Sequence, residues 1–438
     1  MATVTPSVAM PPSYSQVTGI YPPSEPSPHG FPLSYVDFIP AMISPGGVLS
    51  NPTFERFGDL MRKANNWLLA NPTLWVKNCE SLETRVRGGV TNTDASTSYD
   101  MQKRNGFVRC LRIWIASKTA ADVGEPQQLG YINVVPACQD SGGFLSLPTF
   151  DTLGETVSKM NAMLTAQPLP GRILNLETQD IKLYTWTGSI DPEESCWVET
   201  SQQRKTFINI IRLFYEAGPP AYEQIGCADF VPACLEQGSL FKLFVFEPFS
   251  AVLLKAQQWI QAQPAIHVAS VQSVDYKIYS SWSSTTLDTQ CTVFQERGES
   301  MTCYVRILRV CYVTSMFQSR LPLTALACKA FIPCQLTEQG MLVPPTFESQ
   351  SETMRRALAW LQATGARVIS SETVPLKKGI NFQFDPNNCL TVNSKAAQQE
   401  LFVLRVYLDG YYTEPPPEVL PPAPVVGPPA SLGCCTVL

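Results

Sequence analysis

Histidine is almost missing from this chain: of 438 residues only His29 and His267 carry an imidazole. With so few, neither a Ser-His-Asp relay nor a histidine-rich metal site is expected. There is no C-x-x-C pair with metal spacing, no Walker loop and no G-x-G-x-x-G turn, so neither a zinc site nor a nucleotide cradle is expected. Long basic runs are lacking too. With a formal net charge of −5 and a pI near 5.3, the chain has no electropositive footprint for a phosphate backbone, and no nucleic-acid partner is expected. The N-terminus, Met1 to Pro6, has neither a basic nor an apolar signal region. The most apolar window, Leu240 to Leu254, is broken by Lys242, Glu247 and Pro248 and is too short to span a bilayer. Without an export signal the 14 cysteines are expected as thiols in a reducing cytosol.

What the chain does contain is one strand written four times. Val108 to Ile115, Ile208 to Tyr215, Val305 to Tyr312 and Phe402 to Leu408 are apolar runs with an arginine in the middle. The four arginines, Arg112, Arg212, Arg309 and Arg405, are spaced 100, 97 and 96 residues apart, a period that means internal repetition. Other landmarks recur with it. Ile39-Pro40-Ala41 returns as Val135-Pro136-Ala137, Val231-Pro232-Ala233 and Ile332-Pro333-Cys334, and Pro52-Thr53-Phe54 returns as Pro148-Thr149-Phe150 and Pro345-Thr346-Phe347.

Each repeat also has one helical apolar face. In the first, Phe54, Phe57, Leu60, Met61, Ala64, Trp67 and Leu68 follow helical spacing behind an Asn51 or Thr53 cap. The fold expected is α+β: four βαββ repeats with antiparallel sheets, over residues 31–118, 127–216, 227–317 and 328–412. A single helix on three strands buries too little surface to stand alone. The repeats should therefore pair into two modules, one with two and three with four. Residues 1–30 and 413–438 are proline-rich and are expected to be disordered tails.

A strand-helix-strand-strand unit in duplicate resembles the SOUL heme-binding and GyrI-like effector-binding families, over nearly all of residues 31–412. The resemblance rests on element order, and no functional residue of those families can be matched. It implies a cleft between paired units holding an apolar or planar ligand, with strand aromatics such as Trp114 and Phe214 in its wall.

The residues that suggest chemistry lie mostly in the tails. Cys435-Thr436-Val437-Leu438 has the form of a C-a-a-X box whose terminal leucine favours geranylgeranylation of Cys435. One lipid seldom holds a chain on a membrane, and residues 410–433 contain no lysine or arginine to help. Cys434 is then either a palmitoylation site or a free thiol. Pro11-Pro12-Ser13-Tyr14 and Pro219-Pro220-Ala221-Tyr222 both fit the P-P-x-Y ligand of WW domains, although 37 prolines make chance matches common. WW domains of HECT-type ubiquitin ligases are the partners such motifs imply.

The repeated arginine has apolar neighbours on its face of the strand and needs a carboxylate. Glu80, Glu177 and Glu372 stand at matching positions on the preceding strand, with Asp180 and Asp275 nearby in copies two and three. Structural strand-to-strand ion pairs explain this better than an anion site does. The function expected is a non-enzymatic adaptor on the cytoplasmic face of a membrane, lipid-tethered and presenting its P-P-x-Y motifs. The alternative is the ligand-carrying module. No cofactor is called for, and the sequence leaves the oligomeric state open.

Overall fold

In the computed structural model each arginine-bearing stretch is the middle strand of an antiparallel sheet. The structure describes residues 31–429 except 48–50, 88–89, 100–105, 120–123, 144–145, 185–189, 199–204, 239–241, 264, 282–283, 297–301, 316–322, 341–342, 378–383 and 394–398. The central strands are Gly106–Ser117, Lys205–Ala217, Thr302–Ser315 and Gln399–Asp409. One flank of each is an outer strand: Ser34–Phe38, Leu129–Val134, Glu223–Phe230 or Leu326–Phe331. The other flank is an inner strand: Leu74–Arg87, Gly171–Leu183, His267–Lys277 or Arg367–Lys377. Every inner strand carries a bulge at the same place, between Val76 and Asn78, Ile173 and Asn175, Val268 and Ser270, and Val368 and Ser370. A conserved kink of this kind increases local twist and re-aims the side chains that follow it.

The helices are α1 (Phe57–Ala70), α2 (Leu153–Ala166), α3 (Phe249–Gln261) and α4 (Gln350–Thr364). Three begin later than the sequence spacing suggests. Thr53–Phe54 and Thr149–Phe150 pair with Met42–Ser44 and Cys138–Asp140, and Phe347 bridges to Gln335. Phe54, Phe150 and Phe347 therefore lie in small hairpins rather than on helix faces. The true caps come after them: Thr152 with Glu155, and Ser349 with Glu352, form capping boxes at α2 and α4.

The repeats do not pair two by two. The long connection between inner and central strand of each unit reaches back and adds a short strand to the preceding unit's sheet. Cys196–Val198 joins Gly106 to Val108, Val293–Glu296 joins Lys205 to Ile208, and Leu390–Asn393 joins Thr302 to Val305. Thr97–Tyr99 of unit one then adds to unit four at Gln399 to Leu401, which closes a propeller-like ring. Helices make the same joints. Buried α1 residues Phe57, Leu60 and Ala64 share a core with Val36 and Ile113 of their own sheet and with Leu129 and Phe214 of the next. The other three helices are sandwiched alike, α4 packing on Tyr35 and Trp114 of unit one. Each helix has apolar residues for two sheets, so a two-unit module would leave one helix face and one sheet face in water.

The proline-rich stretch after residue 412 also departs from expectation, since its described part, 413–429, is tied to unit four. Trp360 Nε1 donates to Glu414 Oε2 at 2.8 Å, Lys329 pairs with Glu414, and Leu420 packs beside the core that holds Trp360. Further on, Gly427 N donates to Leu336 O (2.8 Å) and Glu338 N to Gly427 O (3.0 Å), a parallel bridge at Thr337. Composition predicted disorder because proline forms few ladders, but two backbone bonds and a buried indole are enough to seat an already extended chain. Among the described residues no helix is long and apolar enough to cross a membrane.

Candidate functional site

The four inner strands meet at the ring axis, each with one edge paired to its central strand and the other turned toward a neighbouring inner strand. An unpaired strand edge is a row of polar groups that needs partners. Side chains of the next unit supply them. Asn78 Nδ2 donates to Ser371 O (2.9 Å) and its Oδ1 accepts from Ser371 N (3.0 Å). Two residues along, Glu80 accepts from Thr373 N (2.6 Å). The motif repeats as Asn175 on Cys79 with Glu177 on Ser81, as Ser270 on Leu176 with Gln272 on Thr178, and as Ser370 on Val271 with Glu372 on Ser273.

This ladder is what the recurrent acid does, and the arginine completes it. Arg112 Nη1 donates to Thr373 Oγ1 (2.9 Å), Arg212 to Ser81 Oγ (2.5 Å), Arg309 to Thr178 Oγ1 (2.7 Å) and Arg405 to Ser273 Oγ (2.5 Å). Each guanidinium is buried and meets the same hydroxyl position of the preceding unit.

The ion pairs are not the uniform set that the spacing predicts. Arg112 makes a two-pronged pair with Asp37 and Arg309 with Asp229, all four contacts at 2.7 Å, from the outer strand. In units two and four that outer position is Asn133 or Ala330. There Arg212 and Arg405 sit over the Phe57 and Phe249 rings at 3.7 Å and donate to the carbonyls of Pro192 and Pro386. Cation–π attraction and carbonyl dipoles thus replace the outer-strand carboxylate in alternate units. Glu177 is 3.6 Å from Arg212. Glu80 instead takes Trp114 Nε1 at 2.9 Å, Glu372 takes Tyr407 OH at 2.7 Å, and Asp275 pairs with Arg306 rather than Arg309. Asp37 and Asp229 had a signal of their own, the repeated Asp-Phe-Ile-Pro and Asp-Phe-Val-Pro.

Burial shapes the electrostatics here. It raises the Glu80 carboxyl to about 7 against the pull of Arg112 and three hydrogen bonds. Burial likewise outweighs Arg212 at Glu177, and it lowers Arg212 to about 10 despite Glu177. Asp180 is exposed on the axial cavity, and crowding by the surrounding strands, with the Glu83 charge adding repulsion, pushes its carboxyl up. The cavity occupies about 230 Å³ between the four inner strands, with Glu83, Asp180, Asp275 and Arg306 in its wall. Trp114 and Phe214 are fully buried in the sheet-helix cores and do not line it. Among the described residues no group of three or more His, Cys, Asp or Glu is arranged to hold a metal ion.

The second place of interest is the loop between units two and three. Pro219, Pro220 and Tyr222 are exposed, Tyr222 at 57%, while Ala221 between them is buried and donates its N–H to Gly171 O at 3.0 Å. Tyr222 holds φ at 51°, the left-handed region, so the backbone turns at the tyrosine instead of continuing a polyproline helix. Pro11, Pro12, Tyr14, Cys434 and Cys435 lie outside the described residues. Family models, curated proteins and solved structures were all compared with this chain, and none matches it.

Proposed function

We propose that this chain is a non-enzymatic adaptor in which a closed ring of four βαββ modules holds short proline motifs for WW-domain partners. The observation that carries the reading is the loop 219–222: two exposed prolines and an exposed tyrosine ring, anchored between two rigid strands by the buried Ala221. A WW groove reads the proline faces and the tyrosine ring, and all three residues are exposed here. The motif at Pro11, Pro12 and Tyr14 supplies a second site, and two sites on one chain raise avidity when both are engaged. WW-bearing HECT-type ubiquitin ligases fit this description of a partner.

The adaptor works at the cytoplasmic face of a membrane where the chain as translated ends at Leu438, the position the C-a-a-X signal needs. Cys435 then carries a prenyl thioether and Cys434 a palmitoyl group. Cys435 lies 8 residues beyond the tie at Gly427, which at about 3.1 Å each reach roughly 25 Å, so the lipid would hold the ring close to the bilayer.

Titration of a labelled WW domain into the full chain tests recruitment. Tyr14→Ala and Tyr222→Ala should each weaken binding and together abolish it; unchanged binding in the double variant refutes the adaptor reading. The mass of the native C-terminal peptide tests the tether, and an unmodified Cys435 with Leu438 retained removes it. The ligand-carrying alternative has the axial cavity in its favour. Its 230 Å³ is below the roughly 300 Å³ at which small-molecule sites begin, and its wall is rich in carboxylates with Phe402 its single aromatic, so we place the adaptor first.

A further inference from the structure

Cys227 and Cys311 face each other across the outer and central strands of unit three, in register, with their sulfurs 3.6 Å apart. The same cross-strand position holds Tyr35 with Trp114 in unit one, Tyr131 with Phe214 in unit two and Cys328 with Tyr407 in unit four. Three units fill this place under the preceding unit's helix with at least one aromatic ring. Unit three alone has two small sulfur side chains there, under α2. We propose that Cys227 and Cys311 are a redox modification site that closes to a disulfide when the chain meets a hydroperoxide.

Backbone geometry allows the bond. Directly opposed residues of an antiparallel pair have Cα atoms about 4.5–5.5 Å apart, inside the roughly 4.4–6.8 Å that a disulfide spans. The sulfurs need to close from 3.6 Å to about 2.05 Å, a matter of side-chain rotation with a small drawing together of the strands. The roles divide by exposure and by proton sharing. Cys227 is half-buried, whereas Cys311 is 2% exposed. The Cys311 thiol hydrogen bond holds Cys227 below the usual thiol range, helped by Arg309, and raises Cys311 well above it.

Cys227 is therefore the attacking sulfur. Its thiolate takes the terminal peroxide oxygen: an S–O bond forms, the O–O bond breaks, and the departing hydroxide or alkoxide picks up a proton to leave as water or an alcohol. Cys311 then loses its proton and attacks the Cys227 sulfur. The S–S bond forms, the S–O bond breaks and the second oxygen leaves as water. Two thiols are oxidised and one hydroperoxide is reduced, with no other reagent.

The full chain treated with hydrogen peroxide, alkylated with iodoacetamide and digested without reduction tests this by mass spectrometry. A linked peptide containing Cys227 and Cys311 is expected, at about tenfold the yield of any other cysteine pair, and lost on adding dithiothreitol. Cys311→Ala should instead accumulate Cys227 sulfenic acid that dimedone captures. Cys227→Ala, a change at the less buried sulfur that spares the core if Cys311→Ala does not fold, should abolish the linked peptide without making Cys311 reactive. Folded protein in which both cysteines are alkylated, Cys227 passes to sulfinic acid unlinked, or the linkage is scrambled among other cysteines overturns the proposal.

Discussion

Glu80 accepts the backbone N–H of Thr373, 293 residues away in the chain, at 2.6 Å. That contact ties the first unit's inner strand to the last unit's and is one of four alike around the axis. Its role is to satisfy an edge that no strand pairs. Replacing Glu80 by Ala leaves Thr373 N–H and the buried Trp114 Nε1 without an acceptor, a loss of about 2–4 kcal/mol. Glu80→Gln should cost about 1 kcal/mol, because Gln272 already caps Thr178 in unit three. Urea denaturation midpoints rank the two. Equal losses would mean that the negative charge, and not the edge cap, is what the position needs.

The raised carboxyl of Glu80 makes stability depend on pH. Its ordinary value near 4.5 moves to about 7 in the fold, so between those values the folded chain binds more protons than the unfolded one. Stability is then fully present below about 4.5 and declines as pH rises through 7. Glu177, raised by burial, acts in the same direction. Unfolding midpoints at pH 5.5 and 7.5 should differ in favour of the acid side, and Glu80→Gln should flatten the slope. A midpoint that rises with pH in this window contradicts the assignment.

Closure of the ring makes a half-molecule unstable. Residues 31–216 alone would expose the α2 face that packs on Ile225, Ala269 and Val313, and the unit-one sheet face that α4 covers. The fragment is expected to be unfolded, or to close on a second copy of itself, as circular dichroism and size-exclusion chromatography would show. A stable folded monomer would restore the paired-module arrangement that the repeat spacing suggested.

Much of the body was legible in the sequence because it repeats. The central arginine strand, the helix faces and the number of units all followed from periodicity, since a position buried alike in every copy keeps its residue type, apolar or arginine, in every copy. The ring was not legible. Its closing strands, such as Cys196–Val198 and Leu390–Asn393, are three or four residues long inside polar connections, and nothing local says which sheet they join. Asn78 and its counterparts were missed for a related reason: their partners are backbone groups of another unit, which leave no compositional mark. The nearest signal was the pair Asn78-x-Glu80 and Asn175-x-Glu177.

Tyr222 tests whether the exposed motif is held in an unfavourable turn. A left-handed backbone costs a β-carbon-bearing residue about 1–2 kcal/mol relative to glycine, and Tyr222 has φ at 51°. Tyr222→Ala and Tyr222→Gly both delete the ring, so their difference isolates the backbone. The glycine variant should be the more stable by about 1 kcal/mol, read as a shift in thermal midpoint. No difference would show that the loop relaxes once the ring is gone.

Glu414 should control whether the proline-rich strap stays seated. It accepts from Trp360 Nε1 and pairs with Lys329; beyond it Leu420 packs beside the Trp360 core, and the tie at Gly427 rests on two backbone bonds. Glu414→Ala leaves a buried indole N–H unpaired at a cost of about 1–2 kcal/mol, and the strap has little else to offset it. Amide exchange at Glu338 and Gly427, whose N–H groups form the bridge, should speed up by about tenfold for each 1.4 kcal/mol lost. Exchange within α3, on the far side of the ring joint, should not change. If Glu338 and Gly427 keep their protection in the variant, the bridge stands without the Trp360 contact and the strap is held from its far end.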